Sequence, residues 1–119
     1  MKTQRQKLGK LGEDLAVKYL KKNGYKILTR NYIAGRYGEI DIIAKNNGQL
    51  AFVEVKTKSD NQFGDPEQAF TYFKKKKLYR AIQNYLFKNS LQDKPWQLDL
   101  IAIEILNKNN NLRHYKNIS

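Results

Sequence analysis

The chain has no cysteine and one histidine, His114. Those two scarcities exclude disulfides, thiolate metal sites, cysteine nucleophiles and multi-histidine metal centres. Long hydrophobic runs are missing as well, and none approaches the roughly 20 apolar residues that span a bilayer. The opening MKTQRQKLGKLGEDLA has no apolar stretch that could act as a signal peptide. Internal repeats and linkers are also absent. What remains is a chain of 119 residues with 40% hydrophobic residues, gathered in segments rather than diluted. That length predicts one core and a single domain over 1–119, soluble and cytoplasmic, with no membrane partner. Carboxylates are the only side chains left to bind a metal.

Negative charge is scarce and unevenly placed. Lys and Arg number 23 against 11 Asp and Glu, giving +12 with His114 neutral. Residues 1–30 carry net +7 and residues 74–94 net +6, whereas residues 31–73 carry net −2. Two basic blocks thus flank a segment holding six of the eleven carboxylates. A plain polyanion binder has no use for that acidic centre, since each carboxylate there repels phosphate. The alternative is a lysine-rich composition without a dedicated surface, as 18 of the 23 cations are lysine.

Leu8, Leu11, Leu15, Ala16, Tyr19 and Leu20 recur at helical spacing and predict a helix over 5–22, stopped at Gly24. Glu13 lies at the edge of its apolar face. Strands are predicted over 25–31, 38–45 and 50–58, the last two joined by Asn47-Gly48, the strongest short hairpin signal. A polar loop follows over 59–64. Asp65-Pro66 with Gln68 reads as one helix start and Thr71 as another, so 66–89 is either one helix or a turn and then a long helix. Lys74–Lys77 crowd the beginning of that helix, against its macrodipole, and a polyanion would relieve them. A strand over 96–106, a turn over 107–111 and a short strand over 112–116 complete the chain.

The hairpin carries the chemistry. A two-residue turn pairs Asn46 with Gln49, which sets Asp41 opposite Glu54 and Glu39 opposite Lys56. Alternation then predicts one wholly buried face of Ile40, Ile42, Ala44, Ala51, Val53 and Val55. The other face collects Glu39, Asp41, Ile43, Phe52, Glu54 and Lys56. Opposed carboxylates destabilise a strand pair, and a hard divalent cation would compensate. The competing reading is a solvated polar face with a Glu39–Lys56 ion pair.

Glu39-Ile40-Asp41 followed after 12 residues by Glu54-Val55-Lys56 resembles the acidic motif of the PD-(D/E)XK nucleases. The chain is more closely similar to the YraN family of small bacterial proteins. Gly12-Glu13 with Ala16, Gly38 to Ala44, Phe52 to Thr57, Lys74 with Leu78 and Ala81, and Leu98 to Ala102 carry that likeness over nearly the whole chain. It departs from the superfamily name in having Ile40 and no proline before Asp41. The resemblance implies an α/β, restriction-endonuclease-like fold: a central mixed β-sheet with an antiparallel hairpin, flanked by helices and related to Holliday-junction resolvases. It implies Asp41, Glu54 and the Val55 carbonyl as ligands of Mg²⁺ or Mn²⁺, Lys56 as catalytic lysine, and Glu13 as an auxiliary carboxylate. Gln68 and Lys74 fall where related nucleases place a further polar or basic residue. Analogy with resolvases implies a homodimer.

The function expected from these readings is metal-dependent phosphodiester hydrolysis in DNA, of branched or repair intermediates. Lys7, Lys10, Lys74, Lys75, Lys76, Lys77 and Arg80 are the candidate phosphate contacts. A non-catalytic nucleic-acid-binding module on the same fold, and an assembly protein with an acidic partner, are the alternatives. Tyr72 and Phe73 read as packing residues or as stacking platforms. Asp99 reads as a structural hydrogen-bonding residue or a neighbour of the site, His114 as structural, and Trp96 as a core anchor.

Overall fold

Thr3 starts the first helix, α1 (Gln4–Lys22), by a reciprocal cap. Its hydroxyl accepts from Gln6 N at 3.1 Å, and Gln6 Oε1 accepts from Thr3 N at 2.9 Å. Asn23 caps its end, and Gly24, at φ 89°, turns the chain away in a conformation that suits glycine. The following strands are β1 (Lys26–Ile33), β2 (Glu39–Asn46) and β3 (Gln49–Ser59), with a 3₁₀ turn at Gly35–Tyr37 before β2. Helix α2 (Tyr72–Lys88) and strands β4 (Trp96–Ile105) and β5 (Asn110–Tyr115) complete the order. This computed structural model describes residues 1–59, 71–107 and 109–118. The predicted start at Asp65-Pro66 and Gln68 falls outside them, while the Thr71 cap is seen, accepting from Lys74 N at 3.3 Å.

The five strands form one mixed sheet in the order β1-β2-β3-β4-β5, with β3 and β4 parallel and the other neighbours antiparallel. Asn47 (φ 51°) and Gly48 (φ 79°) both take left-handed conformations, as a tight hairpin turn requires, and Asn46 pairs with Gln49 as expected. Helix α1 packs on one face of the sheet through Ala16, Val17 and Leu20 against Ile42, Ala44, Val53 and Ile101. Helix α2 packs on the other through Leu78, Ala81, Ile82 and Leu86 against Ile40, Ile43, Phe52 and Leu98. Trp96 packs edge-on against Phe52 at the rim of that second core.

This arrangement corrects the one-sided hairpin. Ile43 and Phe52 were assigned to the displayed face, yet both are 0% exposed beneath α2. A sheet covered on both faces buries both side-chain sets, so its polar groups must collect at an end of the strands. At one such end Gly12 of α1 lies on β3, and a methyl group at residue 12 would overlap the Thr57 side chain. No described helix is long and apolar enough to cross a membrane.

Candidate functional site

The ladder between β2 and β3 runs from Asn46↔Gln49 to Ile42↔Val53. Past that pair β2 stays with β1 as far as Ile33↔Glu39, and β3 stays with β4 as far as Ser59↔Ile105. The sheet therefore forks at Asp41. In place of a ladder bond, the Val55 N–H donates to Asp41 Oδ2 at 2.8 Å. A strand residue directs its N–H and C=O to the same edge, so the Val55 carbonyl faces the same fork.

Side-chain alternation breaks there too. Ile40 joins the α2-side core with Ile43, whereas Ile42 joins the α1-side core. The opposing residue of β1, Asn31, lies between the pairs Arg30↔Ile42 and Tyr32↔Ile40 and has φ 53°. Asparagine tolerates that left-handed conformation better than most residues. The kink lets adjacent side chains reach one target: Arg30 Nε and Nη2 donate to Glu13 Oε1 at 3.1 and 3.0 Å, and Asn31 Nδ2 donates to it at 3.0 Å. Arg30 also pairs with Asp14 at 2.6 Å.

Asp41, Glu54, Lys56 and Lys74 line one cavity of about 330 Å³ with Glu39, Lys77, Leu78, Tyr37 and Gly38. Gly38 has φ 92°, and a Cβ there would stand 3.0 Å from Lys77 Cε, so glycine serves both the turn and the cavity wall. Glu54 is only 5% exposed. Its Oε2 lies 2.8 Å from Lys74 Nζ and 3.7 Å from Lys56 Nζ. Glu39 pairs in register with Ile33 of β1, and the ion pair of Lys56 is with Glu54 in place of the expected cross-strand partner.

Burial, the hydrogen bond shared with Glu54 and the charge of Glu54 together push the Asp41 carboxyl up to about 8, against the downward pull of the Val55 N–H. Burial and the neighbouring Lys74 hold Lys56 below its ordinary range, although Glu54 opposes them. Burial pulls Lys74 down, but the hydrogen bonds to Glu54 and Lys56 and the charges of Glu54 and Asp41 together outweigh it, and Lys74 ends raised. The donors at the fork are two adjoining carboxylate side chains and a strand carbonyl. That all-oxygen set suits a hard divalent cation. Among the described residues no three acidic or histidine side chains cluster as metal ligands.

The structure thus brings together Asp41, Glu54, Val55, Lys56 and Lys74, and places Glu13 in the Arg30–Asn31 network, lining a neighbouring cavity that shares Glu39 with the first. Gln68 lies outside the described residues. Of the candidate phosphate contacts, Lys7, Lys76, Lys77 and Arg80 are exposed. Lys10 pairs with Asp14 at 3.3 Å, and Lys75 donates to the Ile118 carbonyl at 3.0 Å. Phe73 is exposed. Asp99 faces α1 rather than the fork cavity: Gln97 Nε2 (2.8 Å), Asn117 N (2.9 Å) and His114 Nε2 (2.8 Å) meet its oxygens, and His114 Nδ1 lies 3.0 Å from the Tyr19 hydroxyl. The structural reading of Asp99 and His114 is therefore the one the contacts support.

Arg30, Asn31 and Tyr37 were not singled out from the sequence. Their only signal there is position: Arg30 and Asn31 end the predicted first strand, and Tyr37 immediately precedes Gly38.

Fold and site together define an α/β domain that gathers a buried carboxylate, a half-buried one and two lysines where a mixed sheet opens. Residues 12–103 match the family model described as Uncharacterised protein family UPF0102. A UPF0102 protein of Alkaliphilus oremlandii is 44% identical over 113 residues, covering 93% of this chain and 96% of the relative. One of Persephonella marina is 44% identical over 109 residues (92% and 90%) and one of Clostridioides difficile 42% over 100 (84% and 87%). The chain belongs to UPF0102, which is the YraN family.

Proposed function

We propose that the chain is a metal-dependent nuclease of restriction-endonuclease-like fold that hydrolyses phosphodiester bonds in DNA. The observation that carries this reading is the fork itself. A protein of net +12 sets the half-buried Asp41 beside the buried Glu54, which costs stability unless a cation is shared between them. Asp41, Glu54 and the Val55 carbonyl would hold Mg²⁺ or Mn²⁺. When bound, such an ion lowers the pKa of its water and neutralises charge developing on phosphorus.

The chain's own residues have separable tasks. The Val55 N–H fixes one oxygen of Asp41, leaving the other for ligation. Lys74, at 2.8 Å from Glu54, orients that carboxylate. Lys56 is half-buried with its ammonium disfavoured by burial, so its proton is available to a water or a phosphate oxygen at the fork. Lys76, Lys77 and Arg80 follow the phosphate backbone beside it, while Glu13 steadies β1 through Arg30.

A second reading rests on the same ion pair. Lys74 already supplies Glu54 with a cation, and a non-catalytic nucleic-acid-binding module would need nothing more. Labelled duplex, single-stranded, flapped and four-way-junction DNA, incubated with EDTA, Mg²⁺ or Mn²⁺, decides between them. Cleavage with either metal, lost in Asp41→Ala and Lys56→Ala, is the expected result. Salt-sensitive binding without cleavage, slightly tighter in Asp41→Ala, would establish the binding module instead.

A further inference from the structure

Beside the carboxylate cavity lies a larger, open groove of about 980 Å³ between the 3₁₀ turn and the exposed side of α2. Three aromatic residues line it, Tyr37, Tyr79 and Phe87, together with the guanidinium groups of Arg36 and Arg80. The residues lining it include no carboxylate, in contrast to the neighbouring cavity with its three. Tyr37 borders both, so the groove and the carboxylate cavity adjoin there.

The ring chemistry is specific. Arg36 Cζ stands 5.2 Å from the centroid of the Tyr37 ring, and its Nη2 donates to the Tyr37 hydroxyl at 3.2 Å. Phe87 is 73% exposed. An apolar ring of that size left in water gains from any flat partner that covers it. Asn84 Oδ1 accepts from the Tyr32 hydroxyl at 2.6 Å, which leaves its NH₂ to donate into the groove.

Rings for flat partners, an amide donor for polar edges and two cations for phosphates are the parts of an unpaired-strand site. A duplex offers phosphates to the cations but keeps its base faces stacked away from the rings. An acidic peptide satisfies the arginines without a planar group for the aromatics. We infer that this groove binds an unpaired nucleic-acid strand, its bases against Tyr37, Tyr79 and Phe87 and its phosphates against Arg36 and Arg80. Resting on the nuclease reading for the fate of that strand, the inference adds that the groove leads a single-stranded segment to the fork.

The test uses the whole chain carrying Asp41→Ala, in EDTA, so that neither metal nor turnover enters. Fluorescence anisotropy follows a labelled oligothymidylate and a labelled hairpin duplex. The oligothymidylate should bind about tenfold more tightly than the duplex, and adding Phe87→Ala should weaken it by about tenfold while leaving the duplex unchanged. Arg36→Gln should lower the log–log salt slope by about 0.7. Both positions are exposed, so unfolding does not confound the variants, and an unaltered melting point confirms this. Equal affinity for the duplex, an equal effect of Phe87→Ala on both ligands, or displacement by polyglutamate as effective as by unlabelled oligothymidylate would overturn the inference. Cleavage by the unmodified chain without single-strand preference sinks the groove alone. Single-strand binding without any cleavage sinks the nuclease alone.

Discussion

Two acidic centres of this protein are built on opposite terms. Asp99 is 0% exposed and met by complementary partners: Gln97 and Asn117 at Oδ1, and His114 at Oδ2. That centre ties β4 to β5 and, through His114 and Tyr19, to α1. Half-buried Asp41 and buried Glu54 share one cavity. One backbone N–H reaches Asp41, one close ammonium reaches Glu54, and Asp41 holds its proton to about 8. A satisfied acid stabilises a fold, while a crowded pair is retained at a cost and is a candidate site of function. Substitution should therefore act in opposite directions at the two centres.

The largest expected effect is on cleavage. Asp41→Ala should reduce metal-dependent hydrolysis by on the order of 10³-fold, read as initial rates on the preferred DNA. Stability should move the other way: Asp41→Asn keeps an acceptor for Val55, removes the cost of taking up a proton on folding and should raise the metal-free melting point by roughly 5 °C at neutral pH. A fall would mean that the pair is structural. Next comes Asp99→Ala, which strands three donors in the interior and should cost about 3 kcal/mol in urea denaturation, with little change in metal affinity. A cost near zero would erase the contrast between the centres. Gly12→Ala, which drives a methyl group into Thr57, should cost about 1–3 kcal/mol by displacing α1 from β3.

The pH dependence is subtler and its sign is fixed by Asp41. Its carboxyl is raised from 3.8 to about 8 on folding. Between those values the folded chain holds a proton that the unfolded chain has released, so metal-free stability falls as pH rises from 3.8 towards about 8 and levels off beyond. Subtracting the stability profile of Asp41→Ala from that of the unmodified chain isolates the slope. A difference that is flat or rises over that window contradicts the raised carboxyl.

Local chemistry made much of the fold legible. Thr71 at a helix start and Asn47-Gly48 in the hairpin are governed by neighbours within a few residues, and the structure has both the cap and the turn. The register followed from that turn as far as Ile42↔Val53. The fork did not, because it depends on groups distant in sequence. Asn31 is set in its kink beside Glu13, 18 residues away, and strict alternation put Ile40 and Ile42 on one face when the kink divides them. Ile43 and Phe52, apolar residues on the face expected to be polar, were the available sign that α2 covers the hairpin as well.

The same limit applied to the site. Asp41, Glu54 and Lys56 were legible by type and spacing and Lys74 only through the family resemblance, and the four share one cavity. The Lys74–Glu54 pair spans 20 residues and required the path of α2 across the sheet, which no local pattern encodes.

The account stands on the fork as a divalent-cation site, and isothermal titration of Mn²⁺ into the metal-free protein at neutral pH probes that directly. It predicts one ion bound per chain, with proton release because Asp41 must ionise, and no binding in Asp41→Asn or Glu54→Gln. Absence of saturable heat at millimolar Mn²⁺, or binding that survives both substitutions, would contradict it.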